Sequence, residues 1–180
     1  FVWEKNFQLG LKKYLIKHQY ANAQGSDLWN AIGRVSKQPI DKMMKTWINQ
    51  VGYPLLQVSR KNSILSIKQS RFLLEDIKNS KKGVWTIPVV IEEGNQRSKK
   101  LITKKSEKVK LKNKDRNFVI NSGRTGFYRV QYDDDTLENL SLLIDEKVLD
   151  YVDRWSLQND YFVQVVSGKK SVQGYLDFIS

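Results

Sequence analysis

The sequence has no cysteine and only one histidine, His18. The first absence excludes disulfides, thiolate nucleophiles, zinc ribbons and iron–sulfur clusters, and the second excludes any site built from two imidazoles of this chain. Long hydrophobic runs are missing too. The longest nearly apolar stretch, Val84 to Ile91, is broken by Thr86 and Pro88 and falls far short of the roughly 18 residues that cross a bilayer. Acidic residues are scarce beside basic ones: 19 Asp plus Glu against 31 Lys plus Arg give a formal net charge of +12. Anionic partners therefore have to be weighed. Neither an initiator methionine nor a basic-then-apolar leader precedes Phe1, and the chain is expected to be a piece of a longer one.

What is present is ordinary for a folded protein. A hydrophobic share of 40%, an aromatic share of 11% and a charged share of 28% over 180 residues lie well away from the disordered class and suit one large domain or two small units.

The first third reads as helical. Phe7, Leu11, Tyr14, Leu15 and His18 recur at helical spacing between Glu4 and Gln19, with Lys12, Lys13 and Lys17 interleaved. Gly25 and Ser26 precede a second short helix through Leu28, Trp29, Ile32 and Val35. Pro39 suits the first position of a third, where a missing N–H is tolerated. Ile40, Met43, Met44, Trp47, Ile48 and Val51 follow at that period, with Met43, Met44 and Trp47 read as core residues, and Gly52 is the expected C-cap.

From Tyr53 and Pro54 the period changes to two. Strands are expected at Leu55 to Arg60, Ser63 to Gln69, Val84 to Glu92, Ser98 to Lys104, Glu107 to Lys112, Asn117 to Asn121 and Phe127 to Tyr132. So many short strands suggest a small sandwich or barrel. Gly94 and Asn95 make the turn of a hairpin whose apolar face is Trp85, Ile87, Val89 and Ile91, and Pro88 marks that strand as an edge. Helical spacing returns after the acidic cluster Asp133 to Asp135, which favours a helix N-terminus. A helix through Leu137, Leu140, Leu143 and Ile144, closed by Val148 and Leu149, precedes one from Tyr151 to Val166 and a last one after Ser171. The fold class is α+β.

Few residues suggest chemistry. His18 has no acid at dyad spacing and reads as structural or solvated. Gly123 and Gly126 are not followed by the Lys-Ser/Thr pair of a phosphate loop. Asp133 to Asp135 lack the alternation of a calcium loop. The stretch Arg97 to Arg116 carries Arg97, Lys99, Lys100, Lys104, Lys105, Lys108, Lys110, Lys112, Lys114 and Arg116 against Glu107 and Asp115. It could follow a phosphate backbone as a basic β module binding nucleic acid, or protect a sheet edge. Without aromatic rings among the charges, edge protection is the better account.

Read together, ten fragments point further: Gly10-Leu-x-x-Tyr14-Leu, Asn22-Ala, Asp27-Leu-Trp29, Pro39-Ile, Met44-x-x-Trp47, Gly52-Tyr53-Pro54, Gln69-x-Arg71-Phe72, Trp85-x-Ile-Pro88, Gly126-Phe-Tyr-Arg129-Val and Asp153-Arg154. In order and spacing they resemble the gluzincin zinc aminopeptidases, the aminopeptidase N-like family that includes the tricorn-interacting factors. The resemblance implies a metallopeptidase that trims N-terminal residues from peptide substrates; the absence of cysteine and of a leader segment points to a cytoplasmic parent. It implies that residues 1–52 are the last helices of a thermolysin-like catalytic domain, 53–133 a β-sandwich and 134–180 the first helices of a C-terminal helical domain. The family's zinc motif His-Glu-x-x-His with its downstream Glu, its Gly-x-Met-Glu-Asn anchor and its transition-state Tyr have no counterpart here. No catalytic or metal-binding residue is therefore assigned; zinc is expected in the parent enzyme and none on this segment. The segment's expected role is that of an inactive spacer touching the rest of its own chain, with no membrane partner. Its candidate residues are structural or interdomain: Arg71, Phe72, Gly126, Phe127, Tyr128, Arg129, Asp153 and Arg154.

Overall fold

The computed structural model describes residues 1–74, 83–113 and 117–180. The chain divides into two compact units, Phe1–Val51 and Gly52–Ser180.

The first unit holds α1 (Glu4–His18), α2 (Gly25–Ser36) and α3 (Ile40–Ile48). Gly10, the one buried residue of α1, lets that helix approach α2 closely: a Cβ there would lie 2.8 Å from the Ile32 Cα. Half of the expected apolar face of α1 is not covered, since Phe7 and Leu15 are exposed while Leu11, Tyr14 and His18 are half-buried. The Asp27 carboxylate accepts from the Gln24 N–H at 2.9 Å and starts α2. Two expectations for α3 need correction. Pro39 stands just before the helix as its N-cap, and the helix stops at Ile48, with Asn49 as C-cap donating to the Lys45 carbonyl. Gly52 caps nothing. Its φ of +84° turns the backbone into the next strand.

Among the described residues, the second unit begins with seven strands: β1 (Tyr53–Lys61), β2 (Ile64–Phe72), β3 (Ile87–Glu93), β4 (Gln96–Ile102), β5 (Ser106–Lys110), β6 (Phe118–Ile120) and β7 (Arg129–Tyr132). They form one sheet in the order β5-β2-β1-β7 and a second in the order β4-β3-β6. Strands β1 and β2 are an antiparallel hairpin turned at Asn62, whose φ is +55°. Strand β7 joins β1 in parallel, from Leu55 beside Arg129 to Val58 beside Tyr132. Leu56, Val58, Leu65, Ile67, Trp85, Ile87, Val89 and Ile91 are buried. Gln69 is buried with them and fully bonded: its amide donates to the Trp85 and Lys104 carbonyls and accepts from the Trp85 N–H. That satisfies a polar group where water cannot.

Strand β3 is not an edge, because β4 and β6 flank it. Pro88 is tolerated for a local reason. Strand β6 reaches only Ile91 to Glu93. The Val90 backbone turns toward that side, accepting from Asn121 N–H and donating to Tyr128 Oη. Two residues back, the Pro88 nitrogen faces the same side, where no strand of the described residues runs, so its missing N–H breaks no ladder bond.

The basic stretch is split. Lys99 and Lys100 lie on β4, and Lys108 and Lys110 on β5, the end strands of two different sheets, while Lys114 and Arg116 fall outside the described residues. Such charges discourage edge-to-edge pairing. Between the two strands, the Glu107 carboxylate accepts from the Thr103 and Lys104 N–H groups at 2.6 and 2.9 Å. Burial raises its pKa, but these bonds outweigh burial and hold it below the ordinary 4.5. A depressed carboxyl stabilises the fold above its ordinary value, and that contribution is lost as pH falls through the lowered one. Melting temperatures measured between pH 6 and about 3 should therefore fall less steeply for Glu107→Gln than for the unaltered protein.

Helices α4 (Asp134–Asp145), α5 (Tyr151–Val166) and α6 (Val172–Ile179) complete the unit. Asp133 caps α4 through the Thr136 N–H at 3.1 Å and also accepts from the Arg60 N–H, tying the helix start to β1. Helix α4 ends at Asp145, earlier than Val148 and Leu149. The chain then folds back through Lys147, whose φ is +56°.

Candidate functional site

Helix α5 presents an unusual inner face. Asp153, Leu157, Asp160, Tyr161 and Gln164 are its buried residues, so polar groups occupy positions where helical spacing predicts apolar ones. Burying a carboxylate is costly unless it is paired and bonded. Asp160 is paired with arginines and bonded to β7, and Asp153 is hydrogen-bonded to the short helix Ser122–Arg124.

Asp160 is the centre. One carboxylate oxygen accepts from the Val130 N–H at 2.9 Å, and the other from Arg129 Nη1 at 2.9 Å, with Arg124 Nη1 at 3.6 Å. Burial pushes the Asp160 carboxyl upward, against the pull of Arg129, the Val130 N–H and Arg124. Burial also opposes the Arg129 charge, yet the bonds to Asp160 and Tyr53 leave that guanidinium above its usual range. Arg124 shifts the other way, lowered by burial and by neighbouring Arg129, with Asp160 opposing. Asn159 ties the two arginines together by accepting from Arg129 Nη1 and from Arg124 Nη2, and Ser156 accepts from Arg124 Nη1. The Arg124 guanidinium lies 4.5 Å from the Trp155 ring centroid.

Asp153 holds the same loop about two turns earlier on α5. It accepts from the Gly123 N–H at 2.7 Å and lies 3.0 Å from Ser122 Oγ. Ser122 Oγ is also 2.6 Å from Glu92, which is paired with Arg97. One hydroxyl proton serves one of the two carboxylates at a time. Burial raises the Glu92 pKa, but the bonds from Ser122 and Arg97 leave it below the ordinary value. Asn121, at φ +65°, brackets Gly126 by donating to its carbonyl and accepting from its N–H. This fixes the entry to β7. Tyr128 and Tyr132 then point inward, their hydroxyls bonded to Val90 and Ile120, and burial raises both phenols. Phe127 and Arg129 face the other way, as alternation requires.

The structure brings most of the candidates into one neighbourhood. Phe72 stacks on Tyr53 at 5.2 Å, and Tyr53 meets Phe127 at 5.3 Å. Arg71 lies 5.8 Å from the Trp85 ring. Asp153 and Arg154 are not partners of each other: Asp153 bonds to the Ser122–Gly123 loop, while Arg154 is half-buried beside it on α5. Glu92, Ser122, Arg124, Asn159, Asp160 and Gln164 are missing from the sequence candidates. Two carboxylates seven residues apart, at apolar positions of one helix, are the signal that points to Asp153 and Asp160; nothing local marks Ser122 or Glu92.

Chemically, the arrangement is a clamp. Among the described residues, no group of three or more His, Cys, Asp or Glu side chains could hold a metal ion. The clamp's donor set therefore does not fit a zinc site. No helix of the described residues is long and apolar enough to cross a membrane.

Residues 1–47 match the model of the peptidase family M1 domain, and residues 118–180 match the ERAP1-like C-terminal domain. The sequence is 35% identical to tricorn protease-interacting factor F2 of Thermoplasma volcanium over 99% of this chain and 22% of that protein. It is 36% identical to leucyl aminopeptidase of Saccharolobus solfataricus over 100% and 22%, and 33% identical to probable aminopeptidase 2 of Sulfurisphaera tokodaii over 97% and 21%. The chain thus spans about a fifth of the length of these relatives. With two family models on its two ends and similarity to these relatives along nearly all of its length, the chain belongs to the M1 aminopeptidases.

Proposed function

We propose that these 180 residues are the structural middle of a zinc-dependent aminopeptidase that removes N-terminal residues from peptides. In this reading they are the spacer that holds a helical lid to a catalytic domain. Residues 1–52 supply the last catalytic-domain helices, 53–133 a β-sandwich and 134–180 the first helices of the lid. The carrying observation is that one family model matches residues 1–47 and a different one residues 118–180, while aminopeptidases match nearly the whole. The clamp on Asp153 and Asp160 supports a load-transmitting role, since it joins α5 to β7 and its entry loop by bonds at near-ideal distances. The zinc and its catalytic base then belong to other parts of the enzyme. The lack of cysteine fits a reducing compartment, taken here as the cytoplasm. Nucleic-acid binding is not carried forward, because the lysines are divided between two sheet edges.

A chimera tests the proposal. These residues replace the matching stretch of the Saccharolobus leucyl aminopeptidase, and hydrolysis of leucyl p-nitroanilide is measured. The chimera should keep kcat/KM within about tenfold of the parent, a loss of ~1.4 kcal/mol or less. The 180-residue chain alone should show neither turnover nor stoichiometric zinc. Turnover by the chain alone, or a folded chimera without activity, overturns the spacer reading.

A further inference from the structure

We propose that the cleft beside Arg124 and Arg129 is a binding site for a peptide carboxylate. The cleft has a volume of about 450 Å³ and is lined by both arginines, Tyr53, Phe127 and the Thr125–Gly126 turn. That size suits a dipeptide-sized group.

Charge carries the inference. Arg124 and Arg129 share the single carboxylate of Asp160. Their other partners, Ser156, Asn159 and Tyr53, are neutral. Among the described residues one positive charge is therefore unbalanced in a partly buried place, with the Arg124 and Arg129 side chains 24% and 19% exposed. A second anion would balance it. The guanidinium fork matches the two oxygens of a planar carboxylate, and an excess of a single charge suits a monoanion better than a phosphate dianion.

The walls say what should be attached to that carboxylate. Phe127 is 73% exposed, with its ring against Tyr53 at 5.3 Å, so an apolar surface adjoins the cations. A carboxylate flanked by a hydrophobic side chain fits both parts. Such a group comes either from a peptide C-terminus or from an Asp or Glu side chain next to an apolar residue.

The test is an NMR titration of the 180-residue protein with acetyl-Leu-Phe bearing a free C-terminal carboxylate, with its C-terminal amide, with acetyl-Glu-Phe-amide, and with inorganic phosphate. Saturable shifts of the Arg124 and Arg129 Nε–H signals are expected with at least one carboxylate peptide, and which one binds identifies the source. The acetyl-Leu-Phe amide should bind at least about tenfold more weakly than that peptide, and Arg124→Gln should lower its affinity by a similar factor. Equal binding of the amide, unchanged binding to folded Arg124→Gln, phosphate binding as tight as the carboxylate, or no saturable shift by ~20 mM, where affinity is too weak to reflect a built site, would each overturn the proposal. If Arg124→Gln fails to fold, the acid-against-amide comparison on the unaltered protein decides.

Discussion

Asp160→Ala is expected to destabilise the Gly52–Ser180 unit by about 3–5 kcal/mol, the range for removing one partner of a buried ion pair. The carboxylate is nearly inaccessible, with its side chain 9% exposed. Its removal leaves two arginines facing each other and the Val130 N–H without its acceptor. Asp160→Asn keeps the shape and an acceptor oxygen for Val130 but gives up the charge, so it should recover part of the loss. Urea unfolding of the three proteins, followed by circular dichroism and by tryptophan fluorescence, measures this. A loss under 1 kcal/mol for the alanine variant, the worth of an exposed pair, would show that the clamp does not hold α5.

Gly126→Ala should be nearly as damaging, at about 1–3 kcal/mol or more, through overpacking. Its φ is not the reason. A Cβ at this position would sit 2.8 Å from Tyr128 Cδ1 and 2.9 Å from Cζ. The ring cannot swing away cheaply, because Tyr128 is 5% exposed and its hydroxyl accepts from the Val90 N–H. Gly123→Ala is the natural control: its neighbourhood is open, with Thr125 Cγ2 at 3.9 Å, but its φ is +70°. That substitution should cost roughly 1 kcal/mol from backbone strain alone. Thermal melts rank the two; a larger effect at Gly123 would mean that the Tyr128 ring yields.

Much of the fold was legible because short-range periodicity is a property of the chain itself. Trp85, Ile87, Val89 and Ile91 alternate into the core, and Asp133 caps α4, as the spacing of those residues implies. The last strand read in part: expected from Phe127, it begins at Arg129 and ends, as expected, at Tyr132. Pro88 shows where such reasoning fails. A proline forbids one ladder bond, and whether that makes an edge depends on how far the neighbouring strand extends, which is set by β6 some 30 residues later. Gly52 fails similarly: a glycine after a helical run suggests a cap, but its positive φ serves the start of β1.

The candidate site was only half legible. Asp153 and Arg129 stand in fragments that mark the family, but their sequence neighbours do not name their partners. Arg129 pairs with Asp160, 31 positions away, and Asp153 with the Gly123 N–H, 30 positions away. The sequence alone determined the helix, strand, helix order and the lack of thiols and paired imidazoles, because these depend only on residue type and spacing. Tertiary structure alone decided which acid neutralises which arginine, and that two guanidiniums share one carboxylate. Those facts follow from burial, and a charge's environment is created by elements that the chain brings together from distant positions.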